Sequence, residues 1–168
     1  MPVFLVTGRS GAGKTTVCKE LGARGYTALD TDRIPDLAQW IDPRTGKPTT
    51  VDYGKMINKQ AAQWIWDEKV LRRVIGGTGT LFLCGSADNQ FAFHPVFSKV
   101  FVLTLPPDLQ RQRLATRTEH DYGKLLSMQT QIIDEQRVFV RDATAGGAIE
   151  IDSSANVAQI VDHILEFV

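Results

Sequence analysis

The residues best suited to chemistry stand near the start of the chain, in the run Gly8-Arg9-Ser10-Gly11-Ala12-Gly13-Lys14-Thr15-Thr16. This run contains G-x-x-x-x-G-K-[ST], a pattern typical of loops that bind the phosphates of a nucleotide. Its glycines let backbone N–H groups turn toward an anion, and the positive end of a following helix strengthens the attraction. The pattern predicts that Lys14 reaches the β- and γ-phosphates of ATP, that the Thr15 hydroxyl binds Mg²⁺ and that Thr16 lies nearer the α-phosphate. A glycine-rich turn without a ligand is the alternative.

Two aspartates, Asp30 and Asp32, come directly after a predicted strand at residues 26–29. Ligands bind at the carboxyl edge of a parallel sheet, so both carboxylates are expected at that edge. We predict that Asp30 supports the water shell of Mg²⁺, and that Asp32 hydrogen-bonds the substrate hydroxyl or accepts its proton, with Arg33 as a neighbouring substrate contact. The alternative is that one aspartate caps a helix beginning near Arg33.

The strand predicted at residues 80–84 ends in Cys84, where many P-loop proteins have an aspartate that supports the metal. Either Asp30 takes over this task or Asp88 reaches back to it, and Asp30 is preferred because it leaves its strand at the sheet edge. Gly85 follows Cys84 and would let a substrate approach the backbone, although a tight exit from the strand also requires glycine. Both interpretations of Gly85 stay open.

Three arginines, Arg111, Arg113 and Arg117, follow Pro106-Pro107 and lead to a polar segment at residues 116–124. Arg113 and Arg117 have i, i+4 spacing and therefore share one helix face. Phosphoryl transfer needs cations around the phosphate oxygens, and an arginine can also stack on adenine. We interpret Arg113 and Arg117 as nucleotide contacts, with a solvated basic face as the alternative. Arg111 lies off that face.

The elements that position these residues are short apolar runs of β-formers alternating with longer helical patterns. The predicted strands are residues 3–7, 26–29, 80–84, 99–105 and 148–151. Helices are predicted from residue 125 to about 141 and from residue 157 to the end, the second with Ser153 or Ser154 as its cap. This alternation predicts an α/β fold with a five-stranded parallel sheet between two layers of helices. Together with the loop pattern at Gly8 to Thr16, it indicates a three-layer α/β/α P-loop NTPase fold, in which residues 116–124 would form a short lid.

Composition limits the class of protein. The 168 residues suit a single domain, and 43% apolar with 23% charged residues is ordinary globular composition. Lys plus Arg and Asp plus Glu balance at 19 each, which argues against nucleic acid as a partner. With no apolar run near the length of a membrane span and no leader pattern, we expect a cytoplasmic protein. Cys18 and Cys84 lack metal-binding spacing and are predicted to be core thiols.

Two further segments interrupt the alternation of strands and helices. Residues 42–50 are rich in turn formers and charge, and are interpreted as a flap, as is the lid. The region of about 32–66 is a candidate acceptor-binding region. Its tryptophans, Trp40, Trp64 and Trp66, are interpreted as core or flap-packing residues, with stacking on a base as the alternative.

The chain resembles the nucleoside monophosphate kinase group of P-loop proteins, which includes adenylate, shikimate and gluconate kinases. The features that carry the resemblance are the loop Gly8 to Thr16, the D-x-D at Asp30 to Asp32, Gly85, the arginines before a lid, and Ile151-Asp152-Ser153-Ser154 after the last strand. The resemblance implies that Asp30 supports Mg²⁺ and that Asp32 contacts the acceptor. It also implies that Arg113 stacks on adenine and Arg117 touches the transferring phosphate. The loop at Asp152 and Ser153 is expected to border the adenine.

Some positions depart from these relatives. The chain lacks the Gly-Gly-Gly run of shikimate kinases and the D-G-[FY]-P-R of adenylate kinases, and has Cys84-Gly-Ser-Ala-Asp-Asn-Gln90 instead. Gln90 follows Gly85 at nearly the distance of a base-reading glutamine in adenylate kinases, which favours a nucleotide acceptor. The segment Asp121-Tyr122-Gly123-Lys124 resembles lid segments of uncharacterised actinobacterial P-loop proteins.

These features together predict an ATP- and Mg²⁺-dependent phosphotransferase for a small molecule. A nucleoside or nucleotide is the favoured acceptor, and a sugar acid or shikimate-like metabolite is the alternative. A slow ATPase switch that acts on a protein partner is the alternative outside the kinases. The oligomeric state, monomer or dimer, is not predicted by the sequence.

Overall fold

Parallel strands form the main sheet. The computed structural model describes residues 2–77, 79–118 and 121–168. Within them, five strands lie side by side in the order Thr27–Asp30 (β2), Leu81–Cys84 (β6), Val3–Thr7 (β1), Lys99–Thr104 (β7) and Ile149–Asp152 (β8). All neighbours are parallel, and every residue of β1 and β6 is buried because both faces of the sheet are covered. The predicted five-stranded parallel sheet is confirmed.

Helices cover both faces of this sheet, so the three-layer prediction is also confirmed. Their bounds are Lys14–Ala23 (α1), Glu68–Ile75 (α2), Pro107–Thr116 (α3), Leu126–Ala145 (α4) and Val157–Leu165 (α5). Helices α1 and α5 bury apolar residues against one face, in a core that includes Cys18 and Cys84. Leu71 of α2 and Phe139 of α4 are buried on the other face. Within the described ranges, no helix combines the length and the apolar character needed to cross a membrane.

The cap of α5 differs from the predicted one. The Asn156 side chain accepts a hydrogen bond from the backbone N–H of Gln159 at 3.0 Å, so the prediction of Ser153 or Ser154 as the cap is wrong. Ser153 is fully buried instead, with its hydroxyl 2.8 Å from the carbonyl oxygen of Ala12. The physical reason is that Ser153 lies beneath the phosphate-binding loop, where its hydroxyl donates to the buried carbonyl oxygen of Ala12 and so is not available to cap the helix.

A second, antiparallel sheet occupies the region between β2 and α2. Its strands are Ala38–Asp42 (β3), Lys47–Pro48 (β4) and Gln63–Trp66 (β5), in the order β4, β3, β5. The turn-rich segment interpreted as a flap is therefore a β-hairpin. The helix expected near Arg33 is only a short 3₁₀ turn, Thr31–Arg33. Asp30 caps this turn, which bears out part of the alternative interpretation of that residue. The second sheet itself was not predicted, because the pairing of β3 with β5 joins residues far apart in the chain.

Candidate active site

The phosphate-binding loop joins the end of β1 to the start of α1. Gly13 precedes the helix with a φ of 101°, a left-handed conformation that favours glycine. At Gly8, an added Cβ would lie 3.0 Å from the carbonyl oxygen of Leu103, so a side chain there would push the loop away from β7. The side-chain amide of Gln110 in α3 donates to the carbonyl oxygen of Ser10 at 2.9 Å. The loop is thus held by its glycines and by a contact from α3.

The Lys14 side chain folds back over this loop. Its Nζ donates to the carbonyl oxygens of Gly8 at 2.7 Å and of Arg9 at 3.1 Å. Burial lowers the pKa of Lys14 to about 8, an effect opposed by the charge of Asp32 and reinforced by that of Arg117. A phosphate group at this place would add negative charge beside the buried ammonium, so Lys14 is well suited to bind an anion.

A cavity of about 670 Å³, here called the nucleotide cavity, opens over the loop. Most of the residues predicted to bind the nucleotide line it, namely Ser10, Gly11, Ala12, Gly13, Lys14, Thr15, Thr16, Arg113 and Ser153. Two others do not line it. Gly8 lies behind the loop against Leu103, and the exposed Asp152 accepts hydrogen bonds from the backbone N–H and hydroxyl of Ser154. The volume of the cavity is within the usual range for small-ligand sites.

Thr15 and Asp30 meet at the edge of this cavity. The Thr15 hydroxyl donates to Asp30 Oδ2 at 3.0 Å, while Asp30 Oδ1 accepts from the backbone N–H of Asp32 at 3.1 Å and caps the 3₁₀ turn. A hydroxyl and a carboxylate are oxygen donors of the kind that Mg²⁺ prefers, so this pair fits a magnesium ion. Across the described residues, no cluster of three or more His, Cys, Asp or Glu side chains forms a denser metal site. Such an ion would take its other ligands from phosphate and water.

Two of the three arginines near α3 line the nucleotide cavity. Arg113 Nη2 donates to the carbonyl oxygen of Ser153 at 2.8 Å, and burial lowers the pKa of Arg113. Arg117, the residue just beyond the end of α3, donates from Nη1 to the Ser10 hydroxyl at 2.8 Å. Arg111 instead contacts the Thr130 hydroxyl at 3.3 Å in an exposed position. Arg113 and Arg117 therefore reach the nucleotide cavity while Arg111 stays outside it. The prediction that Arg113 and Arg117 share one helix face is wrong, because the helix ends at Thr116 and Arg117 has an extended backbone.

A second cavity of about 350 Å³, here called the acceptor cavity, lies beside the first. Ser10, Lys14 and Asp32 line both cavities, so the two meet at these side chains. Of the other predicted acceptor contacts, Arg33 lines the nucleotide cavity only. A molecule in the acceptor cavity would therefore face the phosphate-binding loop across Asp32 and Lys14.

Aromatic side chains from four segments form one wall of the acceptor cavity. The ring centroids of Trp40 and Trp64 are 5.3 Å apart, and those of Trp40 and Tyr53 are 6.3 Å apart. Tyr53 in turn lies 6.0 Å from Tyr122 of the lid, and Trp40 Nε1 donates to the Tyr53 hydroxyl at 2.9 Å. Trp40 and Trp64 face each other because their residues pair across β3 and β5. Burial raises the pKa of Tyr122, so its hydroxyl stays neutral.

The loop after β6 connects this wall to the phosphate-binding loop through Asp88. Asp88 Oδ2 accepts from the backbone N–H of Trp64 at 2.8 Å and from Lys59 Nζ at 3.0 Å. Asp88 Oδ1 lies 3.8 Å from Arg9 Nη1, and Arg9 also forms an ion pair with Glu135 of α4. The Asp88 carboxylate is thus paired with groups of the acceptor cavity, whereas the Asp30 carboxylate is the one that contacts Thr15. Of the two candidates to support a metal ion, Asp30 has the better position.

Gly85 and Gln90 lie behind the acceptor cavity and do not line it in the described part of the chain. A Cβ on Gly85 would fall 1.6 Å from Thr31 Oγ1, so glycine is required for the tight exit from β6. Gln90 is fully buried, and its Oε1 accepts from the Thr7 hydroxyl at 2.9 Å and from the backbone N–H of Ala87 at 3.2 Å. Both residues hold the loop that carries Asp88.

Sequence patterns did not identify several of the residues that line the acceptor cavity. Trp66 is a core residue with 1% of its surface exposed, in line with the interpretation of the tryptophans, but Trp40 and Trp64 line the acceptor cavity. Arg9 occupies a variable position of the loop pattern, and Lys59 lies in a segment without periodicity. The lid residues at positions 119 and 120 lie outside the described residues.

The strand–loop–helix unit, the parallel sheet and the cavity at its carboxyl edge define a P-loop protein. Residues 5–136 match the family described as AAA domain, and the chain belongs to this family. A comparison with curated protein sequences gives no match.

Solved structures share the fold over almost the whole chain. Shikimate kinase from Acinetobacter baumannii in complex with shikimate aligns with a TM-score of 0.65 and 20% identity, covering 99% of this chain and 92% of the other. Shikimate kinase from Bacteroides thetaiotaomicron aligns with a TM-score of 0.62 and 17% identity, covering 99% and 97%. A gluconokinase from Sinorhizobium meliloti 1021 aligns with a TM-score of 0.56 and 16% identity, covering 98% and 90%. The chain therefore has the fold of small-molecule kinases.

Proposed function

We propose that the protein is an ATP- and Mg²⁺-dependent phosphotransferase that acts in the cytoplasm on a small molecule, a nucleoside or nucleotide. The observation that carries this proposal is the meeting of the nucleotide and acceptor cavities at Ser10, Lys14 and Asp32. A hydroxyl in the second cavity would face a γ-phosphate in the first, which is the arrangement that direct transfer requires.

The side chains at this junction suit the chemistry of transfer. Lys14 and Arg117 would neutralise charge on the γ-phosphoryl group, and Arg113 would hold the nucleotide beside Ser153. Asp32 would orient the acceptor hydroxyl and take its proton. Thr15, with Asp30 hydrogen-bonded to it, would hold Mg²⁺, which would supply neutralisation of charge on the phosphates.

The lid supports a kinase because a kinase must keep water away from its ATP. Tyr122 of the lid packs against Tyr53 on the acceptor side, and Arg117 at the start of the lid contacts Ser10 in the phosphate-binding loop. In this arrangement the lid bridges the two cavities, so closure would exclude water from both reactants.

The test is ADP release from ATP and Mg²⁺ across nucleosides, nucleoside monophosphates, sugar acids and shikimate. Lys14→Ala is the inactive control, and Lys69→Ala is the matched control because Lys69 is an exposed lysine of α2. A rise in ADP with one class of acceptor, lost in Lys14→Ala and kept in Lys69→Ala, would support the proposal.

Other outcomes would favour the alternatives. The likeness in fold to shikimate kinase and gluconokinase supports a hydroxylated acid as the second candidate acceptor. A slow ADP release that no acceptor changes would contradict the kinase and favour an ATPase switch that acts on a protein partner.

A further inference from the structure

The charges and rings of the acceptor cavity define the class of molecule that it takes. On the basis of the kinase function proposed above, we propose that the acceptor is an uncharged alcohol carrying a flat ring, such as a nucleoside. We further assign to Asp88 the role of disfavouring acceptors that carry a carboxylate or phosphate. Asp88 forms ion pairs with Lys59 and Arg9, the cations that such an acceptor would need to bind.

The described lining of the acceptor cavity includes three cationic side chains, and each has a partner. Lys59 Nζ lies 3.2 and 3.0 Å from the two carboxylate oxygens of Asp88. Arg9 is held between Asp88, at 3.8 Å, and Glu135. Lys14 donates to the carbonyl oxygens of its own loop and faces the nucleotide cavity.

The pairs around Asp88 are partly buried, which makes them costly to break. The exposed side-chain fractions are 14% for Arg9, 21% for Asp88 and 29% for Lys59. An acceptor bearing a carboxylate or phosphate here would compete with Asp88 for these cations, or would place its charge beside Asp88 and Asp32. An uncharged acceptor leaves the pairs intact.

The aromatic wall favours a flat ring. Four rings follow one another at centroid distances of 5.3 to 6.3 Å, in the order Trp64, Trp40, Tyr53 and Tyr122. Lys59 Nζ lies 5.4 Å from the centroid of a Trp40 ring, a contact that helps to fix the indole. Aromatic side chains bind flat heterocycles by stacking. With Asp32 at the junction of the cavities, a ring at this wall places its attached hydroxyl toward the phosphates.

The first experiment compares matched pairs that differ in charge: adenosine with its 5′-monophosphate, uridine with its 5′-monophosphate, and glucose with gluconate. Binding is measured without ATP by quenching of tryptophan fluorescence, and transfer is measured by ADP release. We expect each nucleoside to bind at least about tenfold more tightly than its monophosphate, and more tightly than glucose. Equal or tighter binding of the acids, a preference for glucose, or no saturable quenching by any nucleoside would overturn the proposal.

This design separates the two proposals. If no compound releases ADP in a Lys14-dependent manner, the kinase function fails, while the quenching data still decide whether the cavity selects uncharged rings. If an acid is phosphorylated best, the kinase function stands and the inference about the acceptor fails.

The second experiment tests Asp88 directly. Asp88→Asn keeps an oxygen for the backbone N–H of Trp64 but removes the charge that pairs with Lys59 and Arg9. We expect the ratio of nucleoside affinity to monophosphate affinity to fall about tenfold, because the released cations can then bind an anion. Glu135→Gln, which releases Arg9 from its other side, must lower the same ratio. Asp134→Asn, an exposed neighbour on α4, is the control. An unchanged ratio in Asp88→Asn or in Glu135→Gln would overturn the role of Asp88.

Discussion

The Thr15 hydroxyl donates to Asp30 Oδ2 over 3.0 Å, which joins the first turn of α1 to the end of β2. The strand β6 ends in Cys84, so in the proposed function the carboxylate beside Mg²⁺ would come from the edge strand β2, which pairs with β6. We therefore expect Asp30, through its contact with Thr15, to serve in place of an aspartate at the end of β6, which gives Asp30 a testable role in magnesium use.

Asp30→Asn should weaken magnesium use. The amide keeps an oxygen to cap the 3₁₀ turn through the N–H of Asp32, but it loses the charge behind Thr15. We expect the Mg²⁺ concentration for half-maximal rate to rise by about ten- to a hundredfold, as for other groups that support a metal ligand. Initial rates against Mg²⁺ concentration measure this. Asp36→Asn, an exposed neighbour, should leave the curve unchanged; the same curve for both variants would contradict the role of Asp30.

ATP affinity should depend on pH above about 8, the value to which burial lowers the pKa of Lys14. ATP binds the charged ammonium, so its binding requires protonation of Lys14 once the pH exceeds this pKa. We expect the affinity to fall as pH rises, by up to about tenfold per pH unit for one proton. Calorimetric titrations between pH 7 and 9.5 at constant ionic strength test the sign. Lys14→Ala should bind weakly with no such slope, and an equal slope in this variant would assign the titration to another group.

Arg117→Ala should slow transfer much more than it weakens ATP binding. Arg117 contacts Ser10 in the phosphate-binding loop, where charge on a transferring phosphoryl group would develop. Loss of one such donor lowers kcat by about 10²- to 10³-fold in other enzymes. Arg111→Ala is the matched control, because Arg111 makes only an exposed contact with Thr130. Steady-state rates together with ATP dissociation constants separate the two effects. Similar rates for the two variants would remove Arg117 from the site.

Gly85→Ala should destabilise the fold. The added Cβ would meet Thr31 Oγ1 at 1.6 Å and Thr31 Cβ at 2.7 Å, so β6 or the 3₁₀ turn must move. We expect the free energy of unfolding to fall by about 2 kcal/mol or more, and Thr31→Ala in the same chain to restore part of it. Gly22→Ala in α1, where a Cβ meets nothing within 4 Å, should raise stability by about 0.5–1 kcal/mol. Urea denaturation measures all four proteins, and a Gly85→Ala variant as stable as the unaltered chain would refute the packing argument.

The sequence was most informative where a structure depends on neighbouring residues. The spacing of Gly8, Gly13 and Lys14 marks a strand–loop–helix unit because each backbone conformation in that unit is set locally. The buried strands and the helix α4 were predicted for the same reason, since apolar periodicity is a property of short windows. The cap of α5 was missed because Asn156 competes with two serines of similar capping strength, and burial of Ser153 decided between them.

The contacts that form the acceptor cavity could not be predicted from the sequence. Trp40 and Trp64 face each other only because β3 pairs with β5, and Asp88 meets Lys59 and Arg9 only because three separate segments converge. Such contacts join residues that are far apart in the sequence, so no local sequence pattern predicts them. The sequence by itself determined the phosphate-binding loop, the parallel sheet and the resemblance to small-molecule kinases. The tertiary structure alone decided which side chains surround the acceptor and how their charges are paired.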